Sequence, residues 1–230
     1  MGALFGTVNT DALDCGTHFV HGATFSLFVR FRPMTSNSNT RLLVRLGDRV
    51  NVSAQIFLST SNSVQANYTG QGVPTWTGPL GVGTLHSVLA TYDGVAMRLY
   101  GDTDPTQKDA FVSTVAVPYS ATTGIYIGNI ESGGLLPAES RIYAVAWWAN
   151  VALTGAQSAQ LGAGVSPLRL GVPPNNYWML QQDARARVGG AHGAVVGGVK
   201  FVESYWRARA AEDRATAPTR VPTAARFAGV

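Results

Sequence analysis

An all-β fold is what this sequence predicts, and three observations predict it. Charged residues make up only 13% of the 230, and glycine is frequent at 26 copies. Proline and Ser/Thr/Asn clusters punctuate the chain about every ten residues, the spacing of many short strands rather than of helices. Between the clusters, apolar and polar residues alternate with the two-residue period of a strand. With 46% of its residues apolar, the chain has enough to bury a core as one large β domain or two small ones.

The clearest strand is FSLFVRFRP, where Phe25, Leu27, Val29 and Phe31 share one face against Ser26, Phe28, Arg30 and Arg32, and Pro33 closes the run. RLLVRLG (Leu42, Val44 and Leu46 on one face), AQIFLS (Ala54, Ile56, Leu58) and SVQANY (Val64, Ala66, Tyr68) follow the same rule. Residues 70–84, GQGVPTWTGPLGVGT, are too rich in Gly and Pro to pair inside a sheet, and read as a long connection carrying Trp76. A tryptophan in such a loop either caps the core or touches a ligand, and capping is the expectation because it removes a large aromatic surface from water.

LHSVLATYDGVAMRLYGD reads as two strands joined by a two-residue Asp93-Gly94 turn. AFVSTVAVP, GIYIGN, SRIYAVAWWAN, NYWMLQ and GAVVGGVKFV bring the count to ten or more. One helix is expected in LTGAQSAQLGAG, with Thr154 as its cap and Gly162 or Gly164 as its stop. In SRIYAVAWWAN the pleat puts Tyr143, Val145 and Trp147 on one face and Ile142, Ala144, Ala146 and Trp148 on the other. So continuous an apolar run suits a strand covered on both faces, with Trp147 between two sheets and Trp148 on the outer face or under the helix.

Cys15 is the one cysteine, so no intrachain disulfide forms. The opening MGALFGTVNTDALDCG lacks the basic start and long apolar centre of a secretory signal, and no apolar run reaches the roughly 20 residues of a membrane helix. Of the net charge of +4, the last 27 residues carry +3, as five arginines against Glu212 and Asp213. A near-neutral body speaks against nucleic acid, which needs a clustered basic face. Two units are expected: a sandwich over residues 1–203 and an extended C-terminal arm over residues 204–230. The arm has little apolar periodicity. Its Tyr205, Trp206, Val221 and Phe227, beside Arg207, Arg209, Arg214, Arg220 and Arg226, suit ordering on a partner protein.

Three pieces in order, LHSVLATYDGVAMRLYGD, GIYIGN and SRIYAVAWWANVALTGAQSAQL, resemble the laminin-G-like branch of the concanavalin A-like lectin/glucanase superfamily. The resemblance covers about residues 23–170 and implies a two-sheet antiparallel jelly-roll sandwich, which agrees with the strand count reached from periodicity. It departs from the family where Tyr143 stands in place of an acid, and where Gly101-Asp102 replaces the usual Asn-Gly. A calcium or sugar site that depends on those positions is not implied. Calcium stays open through carbonyls and aspartates that the sequence does not place, and no other cofactor is expected.

Catalytic constellations are sparse. A glycan hydrolase on this fold needs two carboxylates flanking the bond. The only glutamates are Glu131, Glu139, Glu203 and Glu212, and none shows the close one-strand spacing of the retaining glucanases that the resemblance brings to mind. Cys15, His18 and His21 have a Cys-x-x-His-x-x-His spacing, but an extended segment points the two histidines to opposite faces, so no metal is expected. His86 and His192 read as ordinary strand or turn residues.

The expectation from sequence is therefore a non-catalytic structural or accessory protein of a virus particle, such as a capsid-decoration or tail-associated protein of a tailed bacteriophage. It would be made in the host cytoplasm, without a signal, and assembled into the virion as a homo-oligomer. Docking on capsid or tail subunits would use Trp148, Tyr205, Trp206, Arg207, Arg209, Arg214, Arg220, Arg226 and Phe227. Neither nucleic acid nor membrane is an expected partner. The alternative is a carbohydrate-binding, lectin-like module for a surface glycan, with Tyr68 and Trp76 stacking on sugar. An enzyme rests on the fold alone, and fold does not imply function.

Overall fold

The computed structural model describes residues 2–4, 12–16, 24–35, 40–47, 52–59, 63–68, 73–78, 80–112, 124–128, 140–180, 183–189, 192–196 and 199–202. Sixteen strands are described: β1 (Gly2–Leu4), β2 (Ala12–Asp14), β3 (Phe25–Pro33), β4 (Arg41–Gly47), β5 (Val52–Leu58), β6 (Val64–Tyr68), β7 (Thr75–Trp76), β8 (His86–Tyr92), β9 (Ala96–Gly101), β10 (Asp109–Val112), β11 (Gly124–Gly128), β12 (Ser140–Ala149), β13 (Asn176–Met179), β14 (Ala186–Val188), β15 (Ala194–Val196) and β16 (Lys200–Val202). The helix α1 (Gly155–Gly162) follows β12.

The strands form two antiparallel sheets. The first runs β10-β9-β8-β3-β12-β1-β16, with β13 and β14 continuing from β12, and the second runs β15-β2-β11-β4-β5-β6-β7. This is the jelly-roll sandwich expected from the strand count and the resemblance. Phe25, Leu27, Val29 and Phe31 of β3 meet Val44, Leu46, Ile56, Val64, Ile125 and Ile127 of the opposite sheet in one core. The arm, residues 204–230, lies outside the described residues, and so do His18, His21 and all four glutamates.

Several local expectations shift, each for a physical reason. A bulge between Leu42 and Val44 turns Leu43 into the core, while Leu42 pairs with Phe57. A second bulge, between Ile142 and Ala144, puts Ile142 opposite Phe31 in the core, so Tyr143 does not share the core row of Val145 and Trp147. Periodicity alone does not foresee a bulge, because one inserted residue reverses every alternation beyond it. The connection over residues 70–84 contains a short strand after all, as Thr75 and Trp76 pair with Gln65 and Val64. GAVVGGVKFV is two strands, with β15 on β2 of one sheet and β16 on β1 of the other.

The β8–β9 hairpin forms, with its turn one residue later than the Asp-Gly rule suggests. The Asp93 amide donates to Ala96, its carboxylate accepts from the Val95 and Ala96 amides, and Gly94 leads the turn at φ +93°. That is the arrangement in which glycine opens a two-residue turn.

Helix α1 is built at both ends as its residues foretell. Thr154 and Gln157 form a capping box. At the other end Gly164 (φ +97°) donates to Leu161 and Val165 donates to Gln160, a Schellman close. Gly155 and Gly162 seat the helix against a loop: a Cβ on either would lie 1.9 Å from the carbonyl oxygen of Pro105 or Asp102, so the backbones touch. Beneath it, Arg30 donates to the carbonyls of Leu161 and Gly162 at the negative end of the helix dipole, and through Nε to Ser87 at 3.0 Å. Burial pulls the Arg30 guanidinium below its ordinary range, against the pull of Tyr177 and Asp102.

Candidate functional site

The two tryptophans of β12 divide as the pleat requires. Trp147 lies between the sheets, 5.3 Å from the Phe25 ring. Trp148 lies on the outer face, fully buried among Phe28, Leu89, Tyr100, Leu153 and Leu161, with its Nε1 donating to the Val172 carbonyl at 3.0 Å. This corrects the docking expectation for Trp148: an indole sealed beneath the helix and hydrogen-bonded to its own chain offers nothing to a partner. The other docking residues, Tyr205, Trp206, Arg207, Arg209, Arg214, Arg220, Arg226 and Phe227, lie outside the described residues.

The second sheet carries a polar line on its outer side. Register places Asp14, Tyr126, Arg45, Gln55 and Asn67 opposite one another across β2, β11, β4, β5 and β6. Arg45, Gln55 and Tyr126 are buried, and Arg45 reaches Gln55 Oε1 through Nε and Nη2 at 3.4 and 3.3 Å. The sequence reading did not find this line, because its members come from five separate strands and only register aligns them.

Trp76 sits where the edges of the two sheets meet, on β7 beside β9 and β10, and is half-buried. Its seat is made by absent side chains: a Cβ on Gly101 would lie 2.6 Å from the ring's Cζ3, and one on Gly78 would lie 2.3 Å from Nε1. His86 meets the ring edge-on at 5.9 Å, and Lys108 Nζ stands 5.7 Å from its centroid. Behind it, Asp102 accepts from the Ser87 amide at 2.9 Å and lies 3.1 Å from His86 Nδ1. Asp102 takes φ +52°, a conformation that aspartate tolerates better than most side chains. Asp109 accepts from the Thr75 amide at 2.7 Å and ties β7 to β10.

Lys108, over the ring, pairs with the exposed Asp104 at 2.7 Å, and the exposed Thr77 follows Trp76 in the chain. The Lys108 ammonium and the Thr106 amide hold the Asp104 carboxyl down at about 2. The arrangement is an aromatic surface fixed on a rigid sheet edge with a polar rim. It combines the capping role expected of Trp76 with a partly exposed ring. Gly78 was not singled out in the sequence, and Gly101 was noted only as a departure from the family pattern, although glycine is the residue that lets a ring approach backbone. Tyr68, the other stacking candidate, stands opposite Ala54 in the β5–β6 ladder, and its side chain is outside the described set.

Cys15 is buried, its thiol 3.9 Å from the Leu13 carbonyl; burial, with Asp14 adding to it, pushes the thiol well above its ordinary range. A thiol held protonated is neither a nucleophile nor a metal ligand.

No family model and no curated protein matches the sequence. Solved structures do share the fold. A candidate carbohydrate binding protein from Bacteroides ovatus ATCC 8483 superposes with a TM-score of 0.64 at 16% identity, over 87% of this chain and 59% of that one. The native heptameric SAP-like pentraxin of Limulus polyphemus gives 0.54 at 13% identity, over 70% of this chain and 80% of its own. Trypanosoma rangeli sialidase gives 0.51 at 13% identity, over 74% of this chain and only 33% of the enzyme. The resemblance to concanavalin A-like proteins thus holds at the level of the fold.

Proposed function

We propose that the sandwich is a carbohydrate-binding module that receives a glycan against Trp76. The observation that carries this reading is the Trp76 seat: an indole held on Gly78 and Gly101, partly exposed, with Lys108 over its ring and paired to Asp104. Sugar rings present apolar C–H faces and a periphery of hydroxyls, so a fixed aromatic plane with charged groups beside it suits both. Pre-organisation lowers the entropy lost on binding. The fold shared with a candidate carbohydrate binding protein and a pentraxin supports the same reading.

The module is read as non-catalytic, and four described aspartates are held by backbone amides of their own turns or of neighbouring strands. Asp93 accepts from Val95 and Ala96, Asp102 from Ser87, Asp104 from Thr106, and Asp109 from Thr75 and Ala110. The test is a glycan panel probed with the whole chain, followed by calorimetry on any hit. Trp76→Ala, checked for folding by near-ultraviolet circular dichroism, is expected to weaken binding about tenfold or more. Silence across the panel, or a folded Trp76→Ala protein that binds as before, overturns the proposal.

A further inference from the structure

His86, read from the sequence as an ordinary strand or turn residue, lies behind the Trp76 indole. It opens β8 directly opposite Phe31 of β3 and shares the inward face of that core residue, with the two rings 6.0 Å apart and 5% of His86 exposed. The Trp76 indole meets the same imidazole edge-on at 5.9 Å.

Hydrogen bonding fixes the neutral form of the ring. Asp102 Oδ1 accepts from the Ser87 amide at 2.9 Å, and Oδ2 stands 3.1 Å from His86 Nδ1. A carboxylate accepts, so Nδ1 carries the imidazole proton and Nε2 keeps a bare lone pair. Nε2 is buried and has no hydrogen-bond partner. A second proton can go only there, where it creates a buried N–H without an acceptor, and such a donor is costly, the more so when charged. The charged groups around the ring do not supply that acceptor. Asp102, which follows β9, is engaged at Nδ1. On β3, Arg30 is a cation that donates to Ser87. Beyond the indole, Lys108 is a cation paired with Asp104, and Asp109 of β10 is held by the Thr75 amide of β7.

We propose that His86 is the positioning residue of the Trp76 seat and makes that seat proton-sensitive. The neutral ring backs the indole, and the doubly protonated ring loosens it so that water reaches Nε2. A module built this way binds near neutral pH and releases in mild acid. That consequence rests on the reading of Trp76 as the glycan contact, whereas the movement of the indole does not.

Acrylamide quenching of tryptophan fluorescence in the whole chain tests the latch without any glycan, from about pH 7.5 to about pH 5, where imidazole side chains take up a proton. Trp147, Trp148 and Trp178 are fully buried, and subtracting the Trp76→Phe profile isolates Trp76. Quenching of Trp76 is expected to step upward as pH falls. His86→Gln, which keeps a donor for Asp102 but takes up no proton, is expected to abolish the step, and His192→Gln to leave it in place. If His86→Gln fails to fold, Asp102→Asn is read instead: without the carboxylate that faces the imidazolium, the step moves to lower pH. A flat native profile, or a step unmoved by the folded variant, overturns the latch. For any glycan found, affinity should fall about tenfold between about pH 7.5 and about pH 5.5 in the native chain and not in His86→Gln. A silent glycan panel sinks the reading of Trp76 and leaves the quenching step to decide the latch, while affinity that ignores pH as the indole moves overturns the role of His86 in binding.

Discussion

On the nine-stranded sheet the outward residues Phe28, Leu89, Ala146 and Trp148 meet Leu153, Leu161 and Leu170 and are sealed by α1 and the segment after it. On the seven-stranded sheet the corresponding outward line is Tyr126, Arg45, Gln55 and Asn67. Both lines come from the same two-residue alternation, yet one is apolar while the other sets a guanidinium, an amide and a phenol side by side. The difference teaches that strand period fixes which residues leave the core, while their chemistry decides what is laid over them. A helix with an apolar side suits the first face and has nothing to bury on the second.

The largest way to break this comparison is Trp148→Ala. Removing a fully buried indole and its hydrogen bond to Val172 is expected to cost about 3–5 kcal/mol in chemical denaturation. A loss under about 1 kcal/mol would show that the helix side is not a true second core. The second face is sharpened by a double-mutant cycle on Arg45 and Gln55. Their long, shared contact is expected to couple by about 1 kcal/mol, and a coupling that rivals the Trp148 loss would erase the contrast between the faces.

The smallest effect concerns acid. Partial burial pushes the Asp93 carboxyl up, but hydrogen bonds from Ala96, Arg98 and Val95 outweigh it and hold the group below its ordinary value, as Asp104 is held at about 2. A depressed carboxyl contributes stability that is complete above its unfolded value, about 3.9, and is lost as pH falls through its folded value. Denaturation midpoints should therefore decline from about pH 4 toward pH 2, and Asp93→Asn should flatten that limb. An unchanged slope would mean that the turns of the first sheet contribute nothing to acid stability.

How much of this was legible follows from what the sequence encodes. Phe25 to Phe31 alternate without interruption, and the strand was read residue by residue. Thr154 foretold the start of α1, and Gly162 or Gly164 its end, because capping is local chemistry; the part Gln157 plays in the cap emerged only from the fold. The two bulges, at Leu43 and Tyr143, were not legible, since nothing in a single strand says that its partner skips a residue. Trp76 was legible as a capping residue or ligand contact, but its seat was not, because Gly78 and Gly101 act through the side chains they lack. The virion expectation gains no support from the fold comparisons, and the arm on which it rested lies beyond the described residues.

Gly155 and Gly162 press α1 onto the carbonyls of Pro105 and Asp102 with no side chain between them. That junction ties the helix to the same loop whose Asp102 orients His86 behind the Trp76 indole. Substituents may thus be exchanged freely at the exposed loop tip around Thr103 while the loop's position stays indexed by main chain alone. A library diversified there would inherit a fixed base plate, provided that both contact points remain bare.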